Sequence, residues 1–495
     1  MENLGIGTWI DRRRVKSADA IAVIDGDIQR TYADLADRID RLASALADHG
    51  IGPGDRIAFL GHNSVEFLET LFATGTLGAI FVPVNARLAP TEISYVMNDS
   101  GSSVLIHGSE FTAALDHLAV ARIPLGEPYE AAIAAATPQR RDVPVSLDDT
   151  AAILYTSGTT GKPKGAMLSH GNLTWNVINV LVDYDVTSRD VALMVSPMFH
   201  VASLGMGALP TLLKGGTLVL QTKFDPASVL EAIERYRITT LSGVPTTFQL
   251  LAEHPAWAST DLSSLEKLTC GGSPVPARVA AAYEKRGLGF SSGYGMTETS
   301  PGATSLSARH SRTKSTTSGL PHFFTDVRIV DEEGADVAPG VQGEILVAGP
   351  NVMTGYWGLP RESADVLEGG WLRSGDLGFR DEEGFLTITD RAKDMIISGG
   401  ENIYPAEVEQ LIMELAEVES VAVIGVPDER WGEVGRAIVV AAAGATVNHE
   451  LICAHLDGRV ARYKIPKSTV VVDDLPRTAS GKVRKQELRV RHSAN

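Results

Sequence analysis

The segment Tyr155-Thr-Ser-Gly-Thr-Thr-Gly-Lys-Pro-Lys-Gly165 directly follows an apolar run, Ala151–Tyr155, that is typical of a buried strand. Glycines allow backbone N–H groups to converge on an anion, and hydroxyl side chains add further donors. The glycines are Gly158, Gly161 and Gly165, the hydroxyl donors are Thr156, Ser157, Thr159 and Thr160, and the cations are Lys162 and Lys164. The loop is therefore predicted to hold a polyphosphate.

Three alternatives for this loop are less consistent with its residues. In a Walker loop the glycines are further apart than Gly158 and the Gly161-Lys162 pair, and no proline such as Pro163 follows the lysine. A dinucleotide fingerprint needs G-x-G-x-x-G, which this loop does not have. A flexible linker gives no reason for such residues to follow a buried strand.

Short apolar runs alternate with amphipathic stretches from about Arg56 to Gly295, which favours parallel α/β sheets. The predicted strands are Arg56–Leu60, Ala79–Val84, Ala151–Tyr155, Val191–Val195, Thr217–Gln221, Thr239–Ser242, Leu265–Thr269 and Gly289–Ser291. Predicted helices between them include Ser64–Leu77, Ser228–Tyr236 and Pro276–Lys285.

The pattern changes after Gly319. Strands at Asp326–Asp331, Gly343–Ala348 and Gly384–Thr389 are separated by turns rich in Gly and Asp, which predicts a small antiparallel barrel or sheet. The last hundred residues are predicted to form a separate α+β unit. Its elements are the helices Pro405–Leu415 and His449–Leu456 and the strands Ser420–Gly425, Arg436–Ala442 and Ser468–Asp473.

Length and charge limit the possible functions. A chain of 495 residues is too long for one hydrophobic core. Its formal net charge of −17 argues against nucleic-acid binding as the main activity, and the basic run Arg12–Lys16 supports at most a peripheral membrane contact. Two cysteines, Cys270 and Cys453, cannot build a disulfide framework, and no signal peptide is visible, so we expect a cytoplasmic protein.

One stretch, Val191–Leu213, lacks Asp, Glu, Lys and Arg and could be mistaken for a membrane span. It contains Pro197, His200 and Pro210, which favour a buried strand, loop and helix.

Further motifs follow along the chain: Gly271-Gly-Ser-Pro274, Gly293-Tyr-Gly-Met-Thr-Glu298, Trp371-Leu-Arg-Ser-Gly-Asp376, Asp390-Arg-Ala-Lys-Asp394 with Ser398-Gly-Gly400, and Pro476-Arg-Thr-Ala-Ser-Gly-Lys482. With the loop at 155–165, and in this order, they resemble the adenylate-forming superfamily of acyl- and aryl-CoA ligases, nonribosomal peptide adenylation domains and beetle luciferases. The resemblance covers nearly the whole chain and is greatest to bacterial fatty-acyl-CoA ligases.

This resemblance implies an α/β fold with a large N-terminal domain of two α/β sheets plus a β-barrel, followed by a small mobile α+β C-terminal domain. The predicted domains are residues 1–392, which bind ATP and the acid, and residues 393–495.

The resemblance also implies binding of ATP, Mg²⁺ and the co-substrate coenzyme A. Tyr294 would stack on adenine, Asp376 would accept both ribose hydroxyls, and Thr297 would contact the α-phosphate. Glu298 and Thr156 are the implied Mg²⁺ ligands. The rest of the implied ATP site is Ser157, Gly158, Thr159, Thr160, Gly161, Lys164, Gly272, Ser273, Pro274, Gly295, Arg391 and Lys482.

The implied reaction has two steps. A carboxylate attacks the α-phosphorus of ATP and releases pyrophosphate, and the thiol of CoA then displaces AMP. Lys482, Glu298 and His200 are the implied catalytic residues. Lys393 would be the hinge about which the C-terminal domain rotates, and Ser398, Gly399 and Gly400 would line the path of the CoA thiol.

Pro197-Met-Phe-His200 resembles the start of the acyl pocket in acyl-CoA ligases. Amino-acid-activating relatives carry Asp at His200, malonate-type relatives carry Arg at Gly293, and acetate-specific relatives carry Trp at Gly295, so none of these acids is favoured. The implied acid-binding residues are His200, Val201, Gly271, Gly295 and Met296.

Overall resemblance favours a medium-to-long fatty acid as the substrate. An aryl or other secondary-metabolite acid remains an alternative, as does a standalone enzyme that loads an acyl-carrier protein. A non-catalytic adenylate-binding protein and a luciferase are more distant rivals.

Overall fold

A computed structural model describes residues 3–139, 141, 143–157, 162–271, 275, 277–391, 394–476 and 483–493. The chain divides into two compact units. The first comprises Met1–Ala86, Met97–Leu154 and Gly165–Thr389, and the second comprises Arg87–Val96, Tyr155–Lys164 and Asp390–Asn495. The predicted boundary between residues 392 and 393 stays a prediction.

In the described part of the chain, the strands before residue 392 are β1 Ile21–Asp25, β2 Ile28–Thr31, β3 Arg56–Leu60, β4 Ile80–Val84, β5 Val104–His107, β6 Ala121–Pro124, β7 Thr150–Ser157, β8 Pro163–Ser169, β9 Val191–Met194, β10 Thr217–Leu220, β11 Thr240–Gly243, β12 Lys267–Cys270, β13 Phe290–Gly295, β14 Gly302–Leu306, β15 Leu320–Pro321, β16 Asp326–Val330, β17 Gly343–Ala348, β18 Gly355–Tyr356, β19 Leu367–Glu368, β20 Trp371–Arg380 and β21 Leu386–Arg391. The strands after it are β22 Ile396–Ser398, β23 Glu401–Ile403, β24 Val418–Asp428, β25 Gly432–Ala441 and β26 Ser468–Val471.

The helices of the described residues are α1 Trp9–Ser17, α2 Tyr32–Asp48, α3 Val65–Thr76, α4 Pro90–Ser100, α5 Glu127–Ala135, α6 His170–Asp183, α7 Val201–Ser203, α8 Leu209–Lys214, α9 Pro226–Tyr236, α10 Pro245–Glu253, α11 Ala277–Glu284, α12 Pro360–Val366, α13 Pro405–Ile412, α14 His449–Leu456 and α15 Lys485–His492. A π-helical turn, Leu204–Ala208, joins α7 to α8.

The largest sheet has the strand order β15-β14-β13-β12-β11-β9-β10-β1-β2 within the described residues. Strands β13 to β1 in this order run parallel, and antiparallel strands β14 and β2 flank them. A second sheet has the order β18-β8-β7-β4-β3-β5-β6 and contains the parallel pairs β3–β4, β3–β5, β4–β7 and β5–β6. The predicted α/β sheets are confirmed.

The third sheet lies after Gly319, where the sequence pattern changes. Antiparallel strands are paired in the order β16-β17-β20-β19, and β21 also pairs with β20. The prediction of a small antiparallel barrel or sheet is confirmed as a sheet. The motif at Trp371–Asp376 lies inside β20, where Gly375 has φ +70°.

The second unit contains the predicted small α+β unit, together with Arg87–Val96 and Tyr155–Lys164. Its sheet has the order β23-β22-β25-β24, with β26 parallel to β25. Buried side chains of α13, β24, β25 and α14 pack together, including Val408, Val423, Val439 and Ile452. The prediction of a large N-terminal part and a smaller C-terminal α+β part is confirmed.

Helix α6 illustrates how local sequence sets an element boundary. The Ser169 hydroxyl accepts from the Asn172 backbone N–H at 3.0 Å, and the Asn172 Oδ1 accepts from the Ser169 N–H at 2.8 Å. This reciprocal capping satisfies N–H groups that the first helical turn leaves unpaired. The helix therefore begins at His170.

The apolar stretch 191–213 divides into β9, α7, the π-helical turn and α8, as the strand–loop–helix interpretation predicted. Within the described residues, no helix combines the length and apolar character that crossing a membrane requires.

Candidate active site

Several predicted site residues follow neighbouring parallel strands. Strands β9, β11, β12 and β13 are adjacent in the largest sheet, and the carboxyl ends of parallel strands lie at one edge. Ligands of open α/β sheets bind in the crevice outside that edge. The segments that follow the strands are Val195–His200 after β9, Gly271 after β12 and Met296–Glu298 after β13.

The sheets bring together Tyr294 on β13 and Asp376 on β20, which are 82 residues apart. The Tyr294 hydroxyl donates to Asp376 Oδ2 at 2.7 Å, and both residues are partly exposed. A carboxylate has about four acceptor sites, so Asp376 can also accept from other hydroxyls. An aromatic ring next to a carboxylate suits a base attached to a ribose.

Glu298 is a buried carboxylate at the start of the segment after β13. It is 6% exposed, and its Oε1 accepts from the Tyr356 hydroxyl at 2.8 Å. The Met353 N–H donates to the Glu298 carbonyl at 2.8 Å, which fixes the backbone. The Tyr356 contact uses only one of about four acceptor sites of the carboxylate, so Glu298 could still bind a cation.

This arrangement fits Mg²⁺ held mainly by a nucleotide. Among the described residues, no group of three or more His, Cys, Asp or Glu side chains could form an all-protein metal site. Mg²⁺ usually binds through one or two carboxylates plus substrate phosphates and water. A single carboxylate is therefore sufficient for such a site, and Glu298 is the predicted one.

The acid-binding prediction begins at His200, which precedes helix α7. The His200 ring packs against Phe199 with ring centroids 4.7 Å apart. Asn63 Oδ1 accepts from the Met198 N–H at 2.8 Å, and its Nδ2 donates to the Ser196 carbonyl at 3.0 Å. This buried amide fixes the loop that leads to His200.

Other predicted acid-binding residues differ in their environments. Val201 is 4% exposed and belongs to the hydrophobic core of the first unit, against which Met296 is partly buried. A Cβ atom built on Gly271 would meet no atom of the described residues within 4 Å, apart from its chain neighbours. Among the described residues, a side chain at position 271 would therefore meet no obstacle.

Gly293 and Gly295 have a packing explanation that sequence reasoning did not foresee. A Cβ at Gly293 would lie 2.3 Å from the Thr304 carbonyl oxygen, and one at Gly295 would lie 1.8 Å from that of Pro301. Both contacts are far closer than van der Waals distance. The pairing of β13 with β14 thus requires glycine at both positions, whatever the acid.

The predicted phosphate loop connects β7 to β8. The Thr156 hydroxyl donates to the Lys164 carbonyl at 3.5 Å, a long contact, and the Tyr95 hydroxyl donates to the Pro163 carbonyl at 3.0 Å. Predicted site residues that lie outside the described residues are Gly158, Thr159, Thr160, Gly161, Gly272, Ser273, Pro274, Lys393 and Lys482. The side chains of Ser157 and Arg391 are likewise not described.

Comparison with known proteins identifies the family. The AMP-binding enzyme family matches residues 10–357, and the C-terminal domain of AMP-binding enzymes matches residues 407–482. The chain belongs to the AMP-binding enzyme family. The predicted resemblance to adenylate-forming enzymes is confirmed.

Three relatives match this AMP-binding enzyme over nearly all of its chain and nearly all of their own. A feruloyl-CoA synthase of Amycolatopsis sp. is 52% identical over 99% of this chain and 100% of its own length. An indoleacetate–CoA ligase of Aromatoleum aromaticum is 43% identical over 98% and 97%. A long-chain-fatty-acid–CoA ligase of Mycobacterium tuberculosis is 35% identical over 100% and 99%.

A solved structure has the same fold. It is a double mutant of o-succinylbenzoate CoA synthetase from Bacillus subtilis, bound to a product analogue, with a TM-score of 0.90 and 33% identity over 99% of this chain and 98% of the other.

In the second unit of the AMP-binding enzyme, the predicted thiol path forms the turn between β22 and β23. Gly399 and Gly400 have φ +58° and +88°, a left-handed conformation that favours glycine. The Gly399 N–H donates to the Trp431 carbonyl at 2.8 Å, and a Cβ at Gly399 would lie 2.7 Å from the Trp431 ring. Ser398 is buried next to them.

Two groups of residues that bond to segments of the predicted site were not predicted from the sequence. Tyr356, which holds Glu298, is 58 residues away from it and belongs to no motif that we recognised. Three buried asparagines of α6 were also missed, although their spacing of four and three residues places Asn172, Asn176 and Asn179 on one helix face. Cys270 is buried at the end of β12, and burial raises the pKa of its thiol.

Proposed function

We propose that this AMP-binding enzyme joins an aromatic carboxylic acid to coenzyme A through an acyl-adenylate formed from ATP. The observation that carries nucleotide binding is the 2.7 Å hydrogen bond between Tyr294 and Asp376, which joins an aromatic ring to the carboxylate that we propose accepts the ribose hydroxyls. The relatives support the acid and thiol parts, since all three are named as ligases or synthases of CoA thioesters.

The first step brings two anions together, so charge neutralisation and positioning should lower its barrier most. The Tyr294 ring and Asp376 would hold adenosine, and Glu298 would hold Mg²⁺, which supplies positive charge to the polyphosphate. We propose that Lys164 and its loop bind phosphate oxygens. Lys482 would neutralise charge that develops as the carboxylate attacks the α-phosphorus.

In the second step, the CoA sulfur forms a bond to the acyl carbon, the bond from that carbon to the AMP oxygen breaks, and the thiol proton is lost. We propose that Lys393 is the hinge for this step and that Ser398, Gly399 and Gly400 line the thiol path. The glycines of this turn suit a narrow path, because a ligand can approach their backbone closely.

Identity to relatives favours an aromatic acid over the fatty acid that overall resemblance suggested. The feruloyl-CoA synthase and the indoleacetate–CoA ligase are 52% and 43% identical to this chain, against 35% for the fatty-acid ligase. The fatty-acid preference is therefore not confirmed, and the alternative aryl interpretation agrees better with these relatives.

A substrate screen tests this proposal. AMP and pyrophosphate release would be measured with ferulate, indole-3-acetate, palmitate and 2-succinylbenzoate, each with and without CoA. We expect ferulate or another arylpropenoate to give a kcat/KM at least about tenfold above palmitate, the scale of a pocket that discriminates by shape. A preference for palmitate would contradict the aryl proposal, and AMP release that is no faster with CoA than without it would contradict CoA as the acceptor.

The role of Lys482 requires separate assays of the two steps. Lys482→Ala is expected to slow adenylation about 10²-fold or more, as loss of one preorganised charged donor does. It should spare thioester formation from pre-made acyl-adenylate. Lys285→Ala, which removes an exposed lysine after α11, is the control. Equal losses in both steps would contradict the assignment.

A further inference from the structure

One face of helix α6 carries a row of buried amides. Asn172, Asn176 and Asn179 are at most 7% exposed, and each bonds to backbone that is distant in the sequence. Burying an amide costs free energy unless its donor and acceptor groups form hydrogen bonds. These hydrogen bonds therefore hold each side chain and its backbone partner in one arrangement. Asn176 is 0% exposed and differs from the others in what it connects.

Asn176 joins two segments that both carry predicted site residues. Its Nδ2 donates to the Gly205 carbonyl at 3.0 Å, and its Oδ1 accepts from the Gly302 N–H at 3.1 Å. Gly205 lies in residues 200–208, called here the acid segment because it begins with His200 and Val201. Gly302 ends residues 297–302, called here the nucleotide segment because it begins with Thr297 and Glu298.

The two segments also touch directly at this point. A Cβ at Gly205 would lie 2.6 Å from the Ser300 carbonyl oxygen and 2.8 Å from Cδ of Pro301. The acid segment can therefore approach only with glycine at 205. This contact falls in the π-helical turn, a feature often found at functional sites.

A second buried amide also bonds to the nucleotide segment. Asn351 Nδ2 donates to the carbonyls of Thr299 at 2.9 Å and Gly302 at 2.7 Å. Between them Ser300 has φ +70°, a conformation that non-glycine residues keep only where surrounding contacts enforce it. The position of the nucleotide segment thus depends on these amides as well as on its own sequence.

We infer that Asn176 is a positioning residue that sets the distance between the acid segment and the nucleotide segment. The inference rests on the proposed function, because both segments act together only if the acid carboxylate attacks a bound nucleotide. Attack requires the reacting atoms to lie about 3–3.5 Å apart, and a misplacement of about 1 Å can cost on the order of 10²-fold in rate. Asn176 acts through these two segments and would touch neither substrate.

The test compares ligands that use one segment or both. AMP occupies the nucleotide segment alone, whereas a feruloyl sulfamoyl-adenosine, a stable acyl-adenylate analogue, would span both. The critical variant is Asn176→Asp, which keeps the acceptor for the Gly302 N–H but turns an oxygen toward the Gly205 carbonyl. We expect its affinity for the analogue to fall about tenfold or more, with its affinity for AMP within about twofold of the original.

Kinetics give a second readout. In Asn176→Asp, kcat for adenylation should fall about tenfold or more while the KM for ATP changes less than about twofold, which is the pattern of a lost transition-state interaction. Gly205→Ala alters the same contact without a charge and should give the same pattern. The double variant should lose less than the product of the two single losses, because both changes disrupt one contact.

Asn179→Asp is the matched control. Asn179 lies on the same helix face, is also 0% exposed, and bonds to the Phe324 N–H at 2.8 Å and the Thr325 hydroxyl at 3.0 Å. We expect Asn179→Asp to lose as much thermal stability as Asn176→Asp. Its affinity for the analogue and its kcat, per folded molecule, should stay within about twofold of those of the unsubstituted protein.

The outcomes separate the inference from the proposed function. Equal effects of Asn176→Asp and Asn179→Asp on analogue affinity would overturn the inference, as would parallel losses of AMP and analogue binding. If Asn176→Asp does not fold, the Gly205→Ala result decides. If the unsubstituted protein binds the analogue but forms no AMP with any acid, only the proposed function is contradicted. The comparison of binding affinities would still test the role of Asn176.

Discussion

Lowering the pH is expected to destabilise the first unit through His170, the first residue of α6. The His170 side chain is 1% exposed, and its Nδ1 accepts from the Ile6 N–H at 3.1 Å. Its Nε2 is buried without a hydrogen-bond partner among the described residues. Burial lowers the pKa of His170 to about 4, and the nearby Asp149 carboxylate opposes this only in part.

The sign follows from comparing the folded and unfolded states. An unfolded histidine has a pKa of about 6.5, so below that pH the unfolded chain binds a proton that folded His170 does not. The contribution of neutral His170 to the free energy of unfolding is therefore fully present above about pH 6.5. It is lost as the pH falls toward about 4. At about pH 5 the two pKa values give a loss of about 2 kcal/mol in the free energy of unfolding, and at about pH 7.5 almost none.

His170→Asn isolates this contribution. The Asn Oδ1 can take the place of Nδ1 as the acceptor for the Ile6 N–H, but it does not titrate. Urea unfolding at about pH 7.5 and pH 5 would be compared for both proteins, and the variant is expected to lose about 2 kcal/mol less. His254→Asn is the control, because Nδ1 of the partly exposed His254 accepts from the Ala256 N–H at 3.2 Å.

Other groups titrate in both proteins, so only the difference between them reports on His170. Parallel loss of stability in the original protein and in His170→Asn would refute the reasoning. It would mean that folded His170 accepts a proton as readily as the unfolded chain does.

Three further predictions concern the site. Asp376→Asn should weaken AMP binding about 10- to 100-fold by calorimetry, because hydrogen bonds to a charged acceptor contribute about 1.5–3 kcal/mol; unchanged binding would contradict its role in holding ribose. Tyr356→Phe should raise the Mg²⁺ concentration for half-maximal adenylation about fivefold, since Glu298 loses a hydrogen bond of about 1 kcal/mol; Tyr184→Phe is the control. Gly271→Val should lower kcat/KM for ferulate about tenfold or more at unchanged thermal stability, because its side chain would enter open space; equal activity would place the acid elsewhere.

Much of the fold could be predicted because local pattern and tertiary structure agree. Strand β3 and helix α14 occupy the predicted residues, Arg56–Leu60 and His449–Leu456. In both cases a short apolar pattern is bounded by turn or capping residues, such as Asn448, whose Oδ1 accepts from the Leu451 N–H at 2.9 Å. Such signals need no information from distant parts of the chain.

The contacts that position the site could not be predicted in the same way. Asn176 bonds to residues 29 and 126 positions away, and Asn351 to residues 52 and 49 positions away. A buried amide has no periodic signature, and its partners are backbone groups, which every residue has. Sequence motifs therefore predicted roles for Glu298 and Asp376 but gave no sign of the amides that hold the segment of Glu298.

The glycines of the site show why the reaction was easier to predict than the acid. Gly293 and Gly295 were compared with the Arg and Trp of relatives that use other acids, yet the carbonyls of Thr304 and Pro301 already exclude a side chain there. Any relative with a larger residue must also shift β14, so specificity at these positions is a property of two strands. Gly271 has no such neighbour within the described residues, so a side chain introduced at this position would meet no comparable obstacle there. Among the described residues, a substitution at position 271 can therefore be made without moving β14, whereas one at position 293 or 295 cannot.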